Sequence, residues 1–254
     1  VDASTKNVDI PRKITNGGKT YRVTSIGERA FEGHSDISYL SIPYTIKSIG
    51  EYAFIDCGSS MTVNIADIES WCEMKLGNEH SSPLSSAGKV LVYDIETTDI
   101  VIPNTVTSIG NFTFYQCRQI KSLTIPGSVS TIGSSAFEDC TGLASISLSY
   151  GNTLIGGSTF EGCTGLTEVT IPGSVNFIGI NAFKNCRNLS TIVSEIEYPS
   201  SIEECVFEGL PSYSVLQVPR GTKSAYQSAG GWDQFSSIVE IGVGTVDFSV
   251  GGIN

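Results

Sequence analysis

An Ile-Gly pair recurs along the chain at Ile26-Gly27, Ile49-Gly50, Ile109-Gly110, Ile132-Gly133, Ile155-Gly156 and Ile178-Gly179. Four residues after each Gly stands a Phe: Phe31, Phe54, Phe114, Phe137, Phe160 and Phe183. Three residues further comes a Cys in five of the six copies, at Cys57, Cys117, Cys140, Cys163 and Cys186, with His34 in the first. Successive pairs lie 23 residues apart, except across the 60-residue step from Gly50 to Gly110. Self-similarity at one fixed period means one small unit stacked on itself, and it restricts the fold to a repeat architecture before any local propensity is weighed.

The copy spanning 126–148, PGSVSTIGSSAFEDCTGLASISL, defines the unit. Leu143, Ile146 and Leu148, ending in a period-two I-S-L, predict a short strand with one buried face. Pro126, in register with Pro43, Pro103 and Pro172, ends the strand because proline lacks the amide donor a ladder needs. Ser128-Val129-Ser130-Thr131-Ile132 is a second β-prone stretch, which Gly133 breaks. Ala136 and Phe137, four and three residues before Cys140, predict a single helical or 3₁₀ turn with its apolar side inward. Thr141-Gly142 then reverses the chain. Such a coil cannot bury its own Phe and aliphatic residues. Stacking coils about 4.8 Å apart in parallel register buries a continuous core, with the Phe column as an aromatic spine.

The full pattern stands as Leu166-Thr-Glu-Val169-Thr-Ile171-Pro172-Gly-Ser174-Val175-Asn-Phe-Ile178-Gly179-Ile-Asn-Ala182-Phe183-Lys-Asn-Cys186. It resembles the BspA-like leucine-rich repeats of bacterial surface proteins, over roughly residues 14–218. The resemblance implies a right-handed curved solenoid with a parallel sheet on its concave side and short helical or 3₁₀ turns. It also implies a secreted or surface-anchored protein that binds or adheres rather than catalyses.

The expected organisation is an entry cap over 1–25, a repeat body over 26–218, and an end cap of helix, strand and tail over 219–254. In the cap, Val8, Ile10, Tyr21 and Val23 offer two short strands. The step from Gly50 to Gly110 holds two periods plus 14 residues, which places an irregular insertion at about 66–98. There Val63 and Ile65 supply a strand, and Asp67 caps a short helix carrying Ile68, Trp71, Cys72 and Leu76. Residues 77–88, with His80, read as loop. Residues 89–93 and 98–102 read as a hairpin rejoining the body at Pro103. An insertion into a repeat array is either a site or an irregular coil whose Trp71 packs against its neighbours. Inserts with a Trp-Cys pair and a following hairpin resemble those of the same family, which favours the packing role. The last coil drifts: Glu203 replaces the Gly, Leu210 takes the Cys place, Cys205 lies off the column and Ser194 falls on a buried strand position. Residues 221–232 predict a helix with Ala225, Tyr226, Ala229 and Trp232 on one side, and a strand follows near 238–241. An atypical end covers what a terminal coil would otherwise expose.

Charge and composition remove several function classes. Fifteen Lys and Arg against 26 Asp and Glu leave a net charge of -11 and no basic stripe to neutralise phosphates, so no nucleic-acid partner is expected. No run of about 18 apolar residues predicts a membrane span. The sequence starts Val1-Asp2-Ala3-Ser4 without a basic or apolar leader, so any signal peptide lies outside it. Only two His exist, His34 and His80, and neither has a motif companion, so no Ser-His-Asp or Cys-His site is indicated. Cys at one repeat position form a line, whereas zinc needs four converging donors, so no metal is expected. Adjacent coils bring thiols close enough for a disulfide in principle, but Cys packs as a small hydrophobe and buried free thiols are expected. No phosphate-cradling or calcium loop appears, so no cofactor is expected.

Outward residues of the main strands remain for binding: Tyr39 and Ser41, Thr62 and Asn64, Asp99 and Val101, Ser122 and Thr124, Ser145 and Ser147, Glu168 and Thr170, Thr191 and Val193, then Val215 and Gln217. This strip is hydroxyl-rich and lacks aromatic or Arg anchors. It suits a weak, multivalent contact with a protein or glycan. The sequence therefore points to a non-catalytic extracellular or cell-surface binding protein, expected to be a monomer. A structural spacer of a larger surface protein is the alternative. An enzyme would need a pocket in 66–88 lined by His80 with Glu73 or Glu79.

Overall fold

The computed structural model describes residues 6–241. Two ladders of short parallel strands run through it, one along each strand of the repeat. The main ladder holds the strands of the L-x-x-I-x-I part of each unit. Ser122–Ile125 pairs in parallel with Ser145–Leu148 so that Leu123 meets Ile146 and Ile125 meets Leu148. Glu168–Ile171 pairs likewise with Thr191–Ser194. The second ladder is made of two-residue strands ending at each repeat Ile: Ser108–Ile109, Thr131–Ile132, Leu154–Ile155 and Phe177–Ile178. The partners differ by 23 residues in each pairing, so the sequence period is the step from coil to coil.

Between the ladders the chain closes each coil through the A-F-x-x-C segment, and here the expected helical turn is not formed. Its residues form consecutive turns, with Ser135 at φ 54 and Asp139 at φ 56, and equivalent left-handed residues in other coils, such as Asn181 at φ 60 and Asn185 at φ 59. The cause is hydrogen bonding. The amides of Ser135, Phe137 and Asp139 donate to the carbonyls of Gly157, Thr159 and Glu161 in the next coil. A helix would turn those amides back on their own chain. The coil instead sends alternate amides forward, giving a third line of bonds up the stack.

The core is three columns. Phe114, Phe137, Phe160 and Phe183 are fully buried and stacked, with centroids 5.1, 5.6 and 5.4 Å apart. Phe207 continues them at 5.5 Å, and Trp232 tilts across its far face. The Ile column lies beside the rings. In the Cys column thiols donate to the Phe carbonyl of the preceding coil: Cys140 to Phe114 at 3.1 Å, Cys163 to Phe137 at 3.2 Å and Cys186 to Phe160 at 3.1 Å. All seven Cys are free. Burial pushes the Cys117 and Cys186 thiols up to about 12, and Cys140 and Cys163 well above the ordinary value.

The insertion is woven into the ladders. Asp67 caps the helix Ile68–Cys72, accepting from the Ser70 amide at 2.9 Å and from the Tyr93 hydroxyl at 3.3 Å. Trp71 is buried, and its indole donates to the Thr113 carbonyl of the following coil at 3.0 Å. The Cys72 carbonyl accepts from the Gly110 amide, the place an Ile carbonyl holds elsewhere. Leu76 belongs not to the helix but to the second ladder, as Lys75–Leu76 paired with Ser48–Ile49. The expected loop over 77–88 contains two 3₁₀ turns, Glu79–Ser81 and Pro83–Ser86. The hairpin differs too. Ala87–Val92 joins the main ladder beside Met61–Ile65 and folds back on Ile95–Glu96 around Tyr93 and Asp94, both left-handed. Asp99–Val101 pairs instead with Ser122–Ile125. The main ladder is thereby interrupted between Ile95–Glu96 and Asp99–Val101, and again between Ser145–Leu148 and Glu168–Ile171.

Both ends depart from the unit. Asn7–Asp9 already lies in the main ladder beside Tyr39–Ile42, and Lys13–Asn16 forms an exposed antiparallel hairpin with Lys19–Arg22. At the other end the helix is shorter than expected, Lys223–Ser228, and Ala225 is exposed while Tyr226, Ala229 and Trp232 are buried. The helix stops before Gly231, whose φ is 82. The Tyr226 hydroxyl meets buried Ser194 Oγ at 2.6 Å and donates to the Ile196 carbonyl at 2.8 Å, so the end segment supplies the partner that the off-pattern serine needs. Ser237–Ile241 adds a last parallel strand. The tail expected over 242–254 lies outside the described residues.

Two outcomes follow from this packing. A Cβ on Gly156 would lie 2.6 Å from the Ser134 amide nitrogen, whereas one on Gly27, the same column in the first coil, meets nothing within 4 Å. Gly156→Ala therefore costs about 1–3 kcal/mol in denaturant unfolding while Gly27→Ala stays near neutral. Equal effects would show that the Gly is kept for backbone freedom instead. In native protein, Ellman's reagent labels Cys205 and, slowly, Cys57, whose thiol burial pushes up to about 11. Cys72, Cys117, Cys140, Cys163 and Cys186 react only on unfolding. Fast labelling of Cys140 or Cys163 would contradict the column.

Candidate binding groove

A concavity of about 980 Å³ lies along the exposed side of the second ladder, near its C-terminal end. It is produced by three departures from the repeat. The first is the column of polar residues preceding each repeat Ile, Ser108, Thr131, Leu154 and Phe177 in pairing order, which turns apolar in its last two members. Phe177 is 54% exposed, and Ile180, just past Gly179, is 57% exposed. The second is the P-G-S-V turn, which becomes S-Y-G-N at 149–152 and carries Tyr150, 80% exposed. The third is the longer segment at 195–201, EIEYPSS, which carries Tyr198, 88% exposed.

The segment at 195–201 is pinned at several points. The buried Trp232 indole donates to the Ser200 carbonyl at 3.0 Å, the Ile202 amide donates to the Gly230 carbonyl at 2.9 Å, and the Gly230 amide donates to Ser201 Oγ at 3.2 Å. The Tyr226 bond to the Ile196 carbonyl holds its start. Asn152 anchors the earlier turn: its side-chain amide donates to the Pro126 carbonyl at 3.0 Å and the Val129 carbonyl at 2.6 Å. A row of large apolar side chains thus faces solvent from backbone held on both sides, the arrangement that a preformed binding surface needs.

None of the sixteen strip residues expected to bind lines this groove. Tyr39, Ser41, Thr62, Ser122, Thr170 and Thr191 are half-buried, and Asp99, Thr124, Ser145, Ser147 and Glu168 are exposed on the main ladder. Pairing places Ser122 beside Ser145 and Thr124 beside Ser147, but the two interruptions divide the strip, and Lys89 and Leu91 enter it beside Thr62 and Asn64. Asn64 is not an outward residue. It is 3% exposed, donates to Asp94 Oδ1 at 2.6 Å and to the Tyr39 hydroxyl at 3.3 Å, and accepts from the Asp94 amide at 3.2 Å. Its side chain turns inward to hold the Tyr93-Asp94 reversal.

The insertion gathers no catalytic set. His80 stacks on Tyr52 at 5.7 Å, its Nε2 lies 3.7 Å from Glu79 Oε1, and its carbonyl accepts from the Phe54 amide as a ladder residue would. A smaller cavity of about 380 Å³ is lined by Cys72, Glu73, Met74, Lys75, Leu76, Ser108, Gly110 and Asn111, without His80 or Glu79. His34 bonds through Nδ1 to the Glu32 carbonyl at 3.0 Å and meets the Phe31 ring edge-on. Among the described residues no group of three or more His, Cys, Asp or Glu is placed to hold a metal ion, and no helix is long and apolar enough to cross a membrane.

Among solved structures, similar chains include a leucine-rich cell surface protein of Faecalibacterium prausnitzii, 15% identical, covering 94% of this chain and 88% of that one with a TM-score of 0.45. The pneumococcal vaccine antigen PcpA is 16% identical over 95% of this chain and 90% of its own, with a TM-score of 0.47. A leucine-rich repeat protein of T. pallidum is 26% identical over 73% of this chain and 78% of its own, with a TM-score of 0.47. A comparison with curated protein sequences finds no match. The profile of the BspA-type leucine-rich repeat region matches in six copies over residues 6–75 and 88–214, and the chain belongs to that family.

Proposed function

We propose that this chain is a non-catalytic binding protein of the bacterial surface, a right-handed curved solenoid capped at both ends, whose groove over Tyr150, Phe177, Ile180 and Tyr198 contacts a protein partner. The observation that carries the reading is the exposure of those four side chains on backbone held by Trp232, Tyr226 and Asn152. Family membership supports the location and the absence of catalysis.

Energetics favours the groove over the hydroxyl strip. Covering a large apolar side chain is worth on the order of 1.5–3 kcal/mol, whereas Ser and Thr on a sheet face exchange water for a partner at little net gain. Aromatic anchors in a fixed concavity are the usual source of affinity. The same row of rings argues against a pure spacer, for which uniformly polar faces would serve better.

The insertion is not expected to be the binding element, since its Trp71, its Lys75–Leu76 strand and its Cys72 carbonyl are built into the stack. Deleting 66–88 would unmake neighbouring coils, so point variants are the sounder probe. The test is a surface-plasmon screen of the folded chain against extracellular-matrix proteins and soluble glycans. Tyr150→Ala with Tyr198→Ala lowers affinity for a protein partner about tenfold at unchanged melting temperature. Ser122→Ala with Ser145→Ala leaves it unchanged. Loss in the serine variant without loss in the tyrosine variant would return the site to the strip.

A further inference from the structure

We propose that the groove receives an extended, positively charged stretch of polypeptide, its Lys or Arg side chains lying against Tyr150, Phe177 and Tyr198 and facing Glu195, Glu197 and Glu203. This rests on the reading of the groove as the binding site and adds the chemistry of its occupant.

Charge is the first argument. The groove is lined by Glu195, Glu197 and Glu203 and by no Lys, Arg or His. Elsewhere a few acids pair with cations, Glu32 with Arg29 at 2.8 Å, Glu96 with Lys89 at 3.0 Å and Glu208 with Lys184 at 2.8 Å. Among the described residues no ion pair holds the three groove carboxylates. Three negative charges collected in one concavity raise the local concentration of cations and repel anions.

The aromatic rings give the second argument. A guanidinium or ammonium over an aromatic face is attracted by the ring quadrupole, and the attraction grows when a carboxylate stands beside it. This chain already uses the pairing at its other end, where Arg12 lies 4.9 Å from the Tyr44 centroid and Arg29 lies 4.9 Å from that of Tyr52. A neutral sugar is less well served. It gains nothing from the carboxylates' charge, and Ser174 Oγ is already engaged between the Gly151 amide and the Asn152 carbonyl. An anionic glycan would meet three like charges.

Length is the third. From the coil of Tyr150 to that of Tyr198 is two coil steps, about 10 Å at ~4.8 Å each, which an extended segment covers with about three residues. The groove thus reads a short motif with alternate cationic side chains.

The test is fluorescence anisotropy of a labelled heptapeptide of alternating Arg and Ser on the full chain, against the same peptide with citrulline in place of Arg. The Arg peptide binds and the citrulline peptide does not, and added salt weakens the complex. Changing Glu195, Glu197 and Glu203 together to Gln weakens binding about tenfold. Asp36→Asn, Glu51→Gln and Glu73→Gln, the same change in net charge outside the groove, alter it less than about twofold. Equal losses in the two triple variants, or equal binding of the citrulline peptide, would overturn the inference. So would a neutral oligosaccharide whose binding needs Tyr198 but not the carboxylates, or self-association of the chain that the Gln triple abolishes. Those two results leave the groove as the site. If Tyr150→Ala with Tyr198→Ala changes the binding of no probe, the groove reading falls as well.

Discussion

The bond from each repeat Phe amide to the carbonyl of the next coil, 2.8 Å for Phe114 and Phe160 and 2.9 Å for Phe137, is the contact on which the other features rest. It sets the orientation of the ring-bearing residue, so that each Phe lies flat on the one before it. The Phe carbonyl in turn accepts the Cys amide of its own coil and the Cys thiol of the next. It also brings neighbouring backbones so close on the Gly column that a side chain there would collide. A single coil contains none of this stabilisation. Its Phe is buried only because another coil lies on either side, which is why terminal segments must differ from the unit.

The same constraint decides what an irregular segment is allowed to do. The insertion keeps its carbonyls in line: Cys72 serves Gly110 and His80 serves Phe54, although neither residue sits in an ordinary repeat. The departures at 149–152 and 195–201 are placed differently. They occur in the turn between the ladders, where Tyr150 and Tyr198 stand exposed outside the columns. Aromatic residues can therefore be displayed there without disturbing the columns, and Asn152 and Trp232 hold the altered backbone.

Much of the fold was legible in the sequence because period and burial are one fact here. The strand over Ser145–Leu148, the cap at Asp67 and the buried Cys column follow from residue spacing alone. The A-F-x-x-C segment was not legible, since its apolar spacing fits a helical turn equally well and the amides' forward partners are set by the next coil. Asn64 misled for a related reason: alternation placed it outward, and the demand of the Tyr93-Asp94 reversal for partners turned it in. The groove did leave a trace, in Leu154 and Phe177 replacing small polar residues and in Tyr150 and Tyr198 entering a Gly-Ser turn. Such a trace becomes visible only when columns are compared by what breaks them.

Native-state hydrogen exchange tests most directly the claim that coil-to-coil bonding holds the molecule together. The amides of Phe114, Phe137, Phe160 and Phe183 should exchange together at the slow limit set by global unfolding, while those of the exposed Tyr198 turn exchange fast. Fast or widely differing exchange among the four Phe amides would mean that each coil opens on its own, and would contradict the account.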